Sequence, residues 1–317
     1  MPLSAPPPLK IGTRGSPLAL AQAHLVRDAL VAAHGAERLG GVPELVIVRT
    51  SGDAIQDRPL RDVGGKGLFT REIEDRLLSG AIDLAVHSAK DMPTIARPGL
   101  VLAGALPRED VRDVLIARGG GGLAALAHGT RVGTASLRRR AQLLRHRPDL
   151  VVEDLRGNVG TRLAKLEAGA VDAVVLAKAG LTRLGLAIAG AVVLEPDVML
   201  PAAGQGTIGL EIRDGDVRLA NCIAAICDAD SLTVLRAERA LLGVLNGSCH
   251  SPIGAYCRLA GDEVDIAALV LTPDGREAYG AQRRGRAGAA EELAVAVGEA
   301  IRLQAPPAFV AALLSGE

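Results

Sequence analysis

Aromatic side chains are nearly missing from this chain: it has two Tyr, two Phe and no Trp in 317 residues. That scarcity argues against single-stranded nucleic acid as a ligand, because such binding relies on stacking platforms. Net charge is missing too. Lys and Arg number 36 against 36 Asp and Glu, a balance unlike that of a general DNA binder. The four cysteines (Cys222, Cys227, Cys249, Cys257) form no CxxC pair and have no His at zinc-site spacing, so no metal centre is expected. In a cytoplasmic chain they stay reduced. The uncharged run Leu184–Leu194 has 11 residues, includes glycines and is too short to span a bilayer. The opening Met1–Leu9 is proline-rich, with neither a basic start nor an apolar stretch, so no secretory signal is expected. These absences predict a cytoplasmic protein acting on neither membrane nor nucleic acid.

What is present is Ala, Leu and Val in a length that suits two or three domains. Apolar strand-like runs alternate with helical patterns, the mark of an α/β fold. Leu9–Ile11 leads into Gly12-Thr13-Arg14-Gly15-Ser16-Pro17, where Ser16 is placed to cap a helix and Pro17 to begin it. The spacing of Leu18, Ala21, Leu25 and Ala29 predicts the inward face of that helix. Glu44–Thr50 reads as a strand. Gly67–Leu78 reads as a helix with Leu68, Phe69, Ile73 and Leu77 inward, stopped by Gly80. Ile82–Val86 is a short strand that delivers His87-Ser88-Ala89-Lys90-Asp91 to its C-terminal end, the edge where open α/β sheets bind ligands.

A second stretch repeats the plan. Val132-Gly133-Thr134 matches Ile11-Gly12-Thr13, and each is followed by a serine and a helix carrying a glutamine, Gln22 or Gln142. Strands are expected at Val151–Leu155 and Val171–Ala177, around a helix that starts after Arg156-Gly157-Asn158 and ends at Gly169. Pro107–Asp110 and Leu200–Gly206 read as two crossings between domains, with a last first-domain helix near 216–227. The tail reads as antiparallel strands (Ile253–Leu259, Val264–Leu271, Tyr279–Arg284) and a helix, Ala289–Leu303. The expected division is residues 1–106 with 207–224, then 112–200, then an α+β domain over 229–317.

Charge is uneven within this neutral chain. Arg131–Arg162 holds eight arginines and only three acids, Asp149, Glu153 and Asp154. A focused positive field of that kind serves a polyanion, and guanidinium forks suit carboxylates. A single arginine of such a run is more often part of a solvated helix face. Arg138 and Arg139 stand apart because they follow the strand-to-helix turn Gly133–Ser136, where free backbone N–H groups favour anions. Cys249 lies in a small polar loop, Asn246–Pro252, which keeps its sulfur accessible, whereas Cys222 and Cys227 read as small core hydrophobes. Lys90 and Asp91 are either a surface ion pair or a carboxylate set among cations to stabilise developing charge. His87 reads as a locally satisfied histidine.

The following motifs occur in order: Gly64-Gly65-Lys66-Gly67-Leu68-Phe69, His87–Asp91, Val132–Arg139, Leu155–Arg162, Ala179–Gly185, Gly204-Gln205-Gly206, and Gly247-Ser248-Cys249 before Pro252. With them the chain closely resembles the hydroxymethylbilane synthase, or porphobilinogen deaminase, family from about residue 10 to 260. The resemblance implies two α/β domains like those of periplasmic binding proteins, and a smaller α+β C-terminal domain. It implies a dipyrromethane cofactor joined to Cys249 by a thioether, to which four porphobilinogen molecules are added with loss of ammonia before hydrolytic release. It further implies a monomeric, cytoplasmic enzyme of haem biosynthesis.

By the same resemblance Asp91 is the catalytic carboxylate, facing pyrrole N–H groups and the azafulvene-type cation. Lys90, Thr134, Ser136, Arg138, Arg139 and Arg156 hold the cofactor. Arg14, Ser16, Gln22, Phe69, Arg162, Arg183 and Gln205 meet the substrate. Gly64–Gly67, with three glycines in four residues, is expected in a mobile lid. Two positions depart from the family pattern. Ala135 stands where serine is frequent, and Ser248 replaces the glycine usual before the cysteine; neither removes a charge or the nucleophile. A two-lobed anion receptor would explain the arginines but not Cys249. A regulatory anion sensor would carry a DNA-binding helix pair, which no segment resembles.

Overall fold

A computed structural model describes residues 7–54, 67–248 and 251–315. In chain order the strands and helices are β1 (Lys10–Arg14), α1 (Pro17–His34), β2 (Glu44–Val48), α2 (Ser51–Ala54), α3 (Arg71–Leu78), β3 (Leu84–Ser88) and β4 (Leu100–Ala105). Next come β5 (Asp113–Ala117), β6 (Arg131–Gly133), α4 (Leu137–His146), β7 (Val151–Glu153), α5 (Val159–Glu167), β8 (Ala173–Ala177), α6 (Lys178–Arg183) and β9 (Val192–Leu194). The last are β10 (Ile208–Arg213), α7 (Val217–Ala224), α8 (Ala229–Val244), β11 (Ile253–Ala260), β12 (Glu263–Leu271), β13 (Ala278–Arg286), α9 (Ala290–Gln304) and α10 (Pro307–Ser315). The chain divides into two compact units. The first has its described residues at 7–54, 67–108 and 207–232, the second at 109–206 and 233–315.

The first unit is built on a sheet ordered β2-β1-β3-β10-β4. Strands β2, β1 and β3 run parallel, and β10 returns antiparallel between β3 and β4. Ile11–Thr13 of β1 and Leu84–His87 of β3 are buried on both faces, as expected for inner strands of a covered parallel sheet. Gly12 is required in β1, since a Cβ there would sit 2.2 Å from Ile82 Cδ1. The α1 start follows the sequence reading: Ser16 Oγ accepts from Ala19 N at 3.3 Å, and Pro17 is the first helical residue.

Two expectations fail here. The buried face of α1 is Gln22, Ala23, Val26 and Leu30, whereas Leu25 is 48% exposed. Apolar residues fill 13 of the 18 positions of α1, more than one face can hold, so Leu25 is left outside; Gln22 turns inward, its amide oxygen accepting from Ser88 Oγ at 3.0 Å. Leu68 and Phe69 precede the helix instead of lying on it. Gly67, at φ 84°, turns the chain, α3 starts at Arg71, and only Ile73 and Leu77 of the four expected residues are fully buried.

The second unit repeats the topology. Its sheet is ordered β7-β6-β8-β5-β9, with β7, β6 and β8 parallel and β5 antiparallel to both neighbours. Gly133 does in β6 what Gly12 does in β1, because a Cβ there would meet Leu155 Cδ2 at 2.7 Å. The same unit holds a three-stranded antiparallel sheet, β11-β12-β13, with its own core of Leu241, Ile253, Ile266, Val297 and neighbours from α8 and α9. The β12–β13 hairpin tip presses on α4: a Cβ at Gly275 would lie 2.3 Å from the Ala141 carbonyl oxygen. No helix among the described residues is long and apolar enough to cross a membrane.

Candidate active site

In the first unit, parallel pairing of β1 and β3 brings Arg14 and the turn Ala89–Asp91 to one sheet edge. Arg14 Nη1 lies 3.8 Å from Asp91 Oδ2. The same guanidinium is paired with Asp53, with Nε donating to Oδ2 at 3.2 Å, and lies 4.2 Å from the centre of the Phe69 ring. Thr50 Oγ1 donates to Asp53 at 2.8 Å and fixes that carboxylate. Burial works against the charge on Arg14, but Asp53 and Asp91 outweigh it and raise its pKa. Burial likewise pushes the Asp53 carboxyl up, and Arg14 and Thr50 overcome it, leaving it below the ordinary carboxylate range. Lys90 and Asp91 are half-buried, Ser16 Oγ is engaged in capping α1, and Gln22 is held by Ser88. His87 is buried against Glu211, 3.1 Å from Nε2 to Oε2, which agrees with reading it as locally satisfied.

In the second unit Thr134 and Ser136 shape the start of α4. Ser136 N donates to Thr134 Oγ1 at 3.2 Å, and Ser136 Oγ caps the helix at Arg139 N. Arg138 and Arg139 turn inward. Their Nη2 atoms donate to the two oxygens of Asp113, each at 2.8 Å, while Nη1 of Arg138 reaches Leu200 O and Nη1 of Arg139 reaches Val175 O. Gln205 is fully buried and donates to Asp113 and to Val111 O. Burial would raise the Asp113 carboxyl, but the two guanidiniums hold it far below the ordinary range. Burial, with the charge of Arg139, lowers the pKa of Arg138 against the pull of Asp113.

The remaining arginines occupy half-buried positions in the same unit. Arg162 Nε donates to Gly157 O at 2.8 Å, the Arg156 carbonyl accepts from Lys165, and Arg183 Nη2 donates to Gly206 O at 2.6 Å. Burial lowers the pKa of Arg183, opposed by Glu109.

The structure thus gathers Arg14, Gln22, Phe69, Lys90 and Asp91 in the first unit, and Thr134, Ser136, Arg138, Arg139 and Gln205 in the second. Cys249 and Gly64–Lys66 lie outside the described residues. Cys222 and Cys227 pack against the first unit's core, where burial raises both thiols. No cluster of His, Cys, Asp and Glu suited to a metal occurs among the described residues. The sequence motifs include neither Asp113 nor Asp53. Asp113 opens β5 and is fully buried, but Glu44 opens β2 in the same way and is exposed, so the local sequence carries no signal that singles Asp113 out.

Two family descriptions match the chain. Residues 9–221 match the porphobilinogen deaminase dipyromethane cofactor binding domain, and residues 232–302 match the porphobilinogen deaminase C-terminal domain. Similar curated proteins include a porphobilinogen deaminase of Nitrobacter winogradskyi, 52% identical over 301 residues and covering 94% of each chain. Another, from Paracoccus denitrificans, is 51% identical over 302 residues, covering 95% of this chain and 96% of its own. With both matched regions and near full-length identity of this level, the chain belongs to the porphobilinogen deaminase family.

Proposed function

We propose that this chain joins four porphobilinogen molecules, with loss of one ammonia each, into the linear tetrapyrrole hydroxymethylbilane, with Asp91 as the catalytic carboxylate and Cys249 as the cofactor attachment point. The observation that carries the site assignment is the Arg14–Asp91 approach at the β1/β3 edge, where both side chains keep partial exposure, 22% and 30%. Each pyrrole brings an acetate and a propionate, so substrate and product are polyanions. The arginine-rich stretch Arg131–Arg162 suits them.

The residues fit a carboxylate-bearing cofactor. Nε of Arg138 and Nε of Arg139 are buried donors that meet no acceptor among the described residues, and an anionic group satisfies such donors. Thr134, Ser136, Arg156 and Lys90 complete the proposed holding set. When bound, dipyrromethane supplies the terminal pyrrole carbon that the first porphobilinogen joins. Asp91 accepts from the substrate pyrrole N–H and offsets the positive charge that develops as ammonia departs. Arg14 orients Asp91, and the same guanidinium lies over the Phe69 ring. Arg162, Arg183, Ser16, Gln22 and Gln205 belong to the proposed substrate contacts.

The same proposal includes a monomeric, cytoplasmic enzyme and a division into residues 1–106 with 207–224, 112–200 and 229–317. The separate core around β11–β13 supports the last division. Incubation with porphobilinogen tests the activity, and intact mass tests the attachment. The wild type should form a uroporphyrin-yielding product and weigh more than its sequence by two linked pyrroles. Cys249→Ser should lose that increment, because oxygen is a far poorer nucleophile than the thiolate. Retention of the increment in Cys249→Ser, with its loss on mutation of Cys222, Cys227 or Cys257, would overturn the assignment.

A further inference from the structure

The group formed by Arg138, Arg139 and Asp113 has an unbalanced composition for so dry a place. Two arginine side chains, 4% and 6% exposed, face one carboxylate side chain that is 0% exposed. Two like charges held together in a medium of low dielectric repel strongly unless an anion lies between them. Asp113 is that anion, with one oxygen for each arginine at 2.8 Å. Gln205 Nε2 adds a third donor to Asp113 Oδ1 at 2.9 Å. The outer nitrogens are fixed as well. Arg138 Nη1 is tied to Leu200 O at 2.7 Å, and Gln142 grips the same residue by both its N–H and its carbonyl. Arg139 Nη1 is tied to Val175 O at 2.8 Å. Each guanidinium is therefore locked through its two Nη ends, and each is left with a buried Nε–H that meets no acceptor among the described residues. One carboxylate against two guanidiniums leaves one positive charge unmatched within this group.

We propose that Asp113 is a positioning residue: it grips Arg138 and Arg139 by their Nη ends, so that their Nε edges and the unmatched positive charge are presented to a carboxylate of the bound pyrrole chain. Asp113 itself touches no ligand. The proposal rests on the reading of Arg138 and Arg139 as carboxylate ligands, and it assigns the two ends of each guanidinium different tasks. An arginine can present two separate donor edges in this way; a lysine, whose three donors share one nitrogen, cannot.

Three variants of the full chain test it, each read by intact mass for the fraction of purified chain that carries the cofactor, and R138K and D113N also by kcat and KM for porphobilinogen. R138K keeps the charge beside Asp113 but has no second donor edge, so it should fold and its loaded fraction should fall at least fivefold. D113N keeps the shape of the side chain but turns one acceptor into a donor facing a guanidinium. Its loaded fraction should fall at least fivefold too, and the molecules that do load should show KM raised several-fold with kcat changed less. Q205A loosens Asp113 without altering any charge and should lower loading by about two- to threefold; it is read by loading alone, because Gln205 is also a proposed substrate contact. It keeps the test decisive should D113N not accumulate as folded protein.

The outcomes separate the two claims. Normal loading of R138K overturns the reading of Arg138 as a ligand-binding residue. Loss of loading in R138K, with normal loading and unchanged KM in folded D113N (or normal loading of Q205A where D113N does not fold), leaves that reading standing and overturns the role given to Asp113. A lower unfolding temperature alone, without a change in loaded fraction or KM, also overturns it, since that is all a purely structural ion pair would show.

Discussion

Arg14 and Arg138 flank the same local pattern, a Gly-Thr strand end leading into a serine-capped helix, in two sheets of the same topology: Arg14 ends β1 before the cap, and Arg138 is the second residue of α4 after it. Each pairs with a carboxylate, yet water treats the two pairs differently. In the first unit the Arg14 side chain is 22% exposed and Asp91 30%, and the two stand 3.8 Å apart. In the second, Arg138 and Asp113 are 4% and 0% exposed and make a 2.8 Å hydrogen bond. A half-exposed pair attracts weakly, and its partners are free to be redirected toward an incoming charge. A dry pair cannot lose one member without leaving an uncompensated charge in low dielectric. The same pair of residue types thus stays open to an incoming charge in one unit and is fixed in place in the other.

The largest expected effect follows from that contrast. Asp91→Asn keeps the size of the side chain and deletes a charge that matters most as ammonia leaves. We predict a fall in kcat on the order of a hundredfold or more, with a much smaller change in KM. Its stability should stay near that of the wild type, because the Arg14–Asp91 approach is long and partly solvated. Asp91→Glu, with the charge moved by one methylene, should retain measurable activity and accumulate partly elongated chains visible by mass. Turnover of Asp91→Asn near the wild-type rate, with cofactor intact, removes Asp91 from the catalytic role.

Much of the contrast is legible in the amino-acid sequence, and the illegible part has a physical cause. The Ser16-Pro17 cap, the Asn158 cap and the Gly169 stop depend on chemistry within a few residues, so they are readable locally. The Gly12/Gly133 echo is readable for the same reason. The strand β10 is not, because it joins its sheet antiparallel between β3 and β4, more than a hundred residues away along the chain. The inward face of α1 is obscured because 13 of its 18 residues are apolar and the polar Gln22 lies on the buried side. In the site, motif-bearing residues such as Asp91 and Arg138 are readable, but the partners that set their roles are not. Asp113 lies 25 residues from Arg138 in sequence, and Gln205 lies 92 from Asp113. Which acid neutralises which arginine is a property of the sheet topology.

A middle-sized effect separates stability from activity. Arg138→Ala leaves Asp113 with half its ion pairing inside a dry core, and should cost about 3–5 kcal/mol in denaturant unfolding. Arg14→Ala removes a partly solvated pair and a contact with Phe69, and should cost only about 1 kcal/mol. Turnover per loaded chain should nonetheless fall in Arg14→Ala, because Arg14 orients Asp91. Equal stability losses for the two variants would erase the distinction drawn between the units.

The smallest effect, and the one that sharpens the comparison within the first unit, belongs to Asp53. It shares Arg14 with Asp91, and its carboxyl lies below the ordinary value of 3.8 because Arg14 and Thr50 outweigh the opposing effect of burial. A depressed carboxylate adds stability that is present above the unfolded value and is lost as pH falls through the folded one. The difference in stability between wild type and Asp53→Asn should therefore be constant near neutrality and shrink below about pH 3.8. Solvent screening of this half-exposed pair keeps it at about 0.5–1 kcal/mol. Asp53→Asn also frees Arg14 to move fully onto Asp91, so turnover should fall by less than tenfold, far less than in Asp91→Asn. If Asp53→Asn instead abolishes turnover while Asp91→Asn does not, the two acids exchange roles, and Asp53 is the carboxylate that faces the substrate.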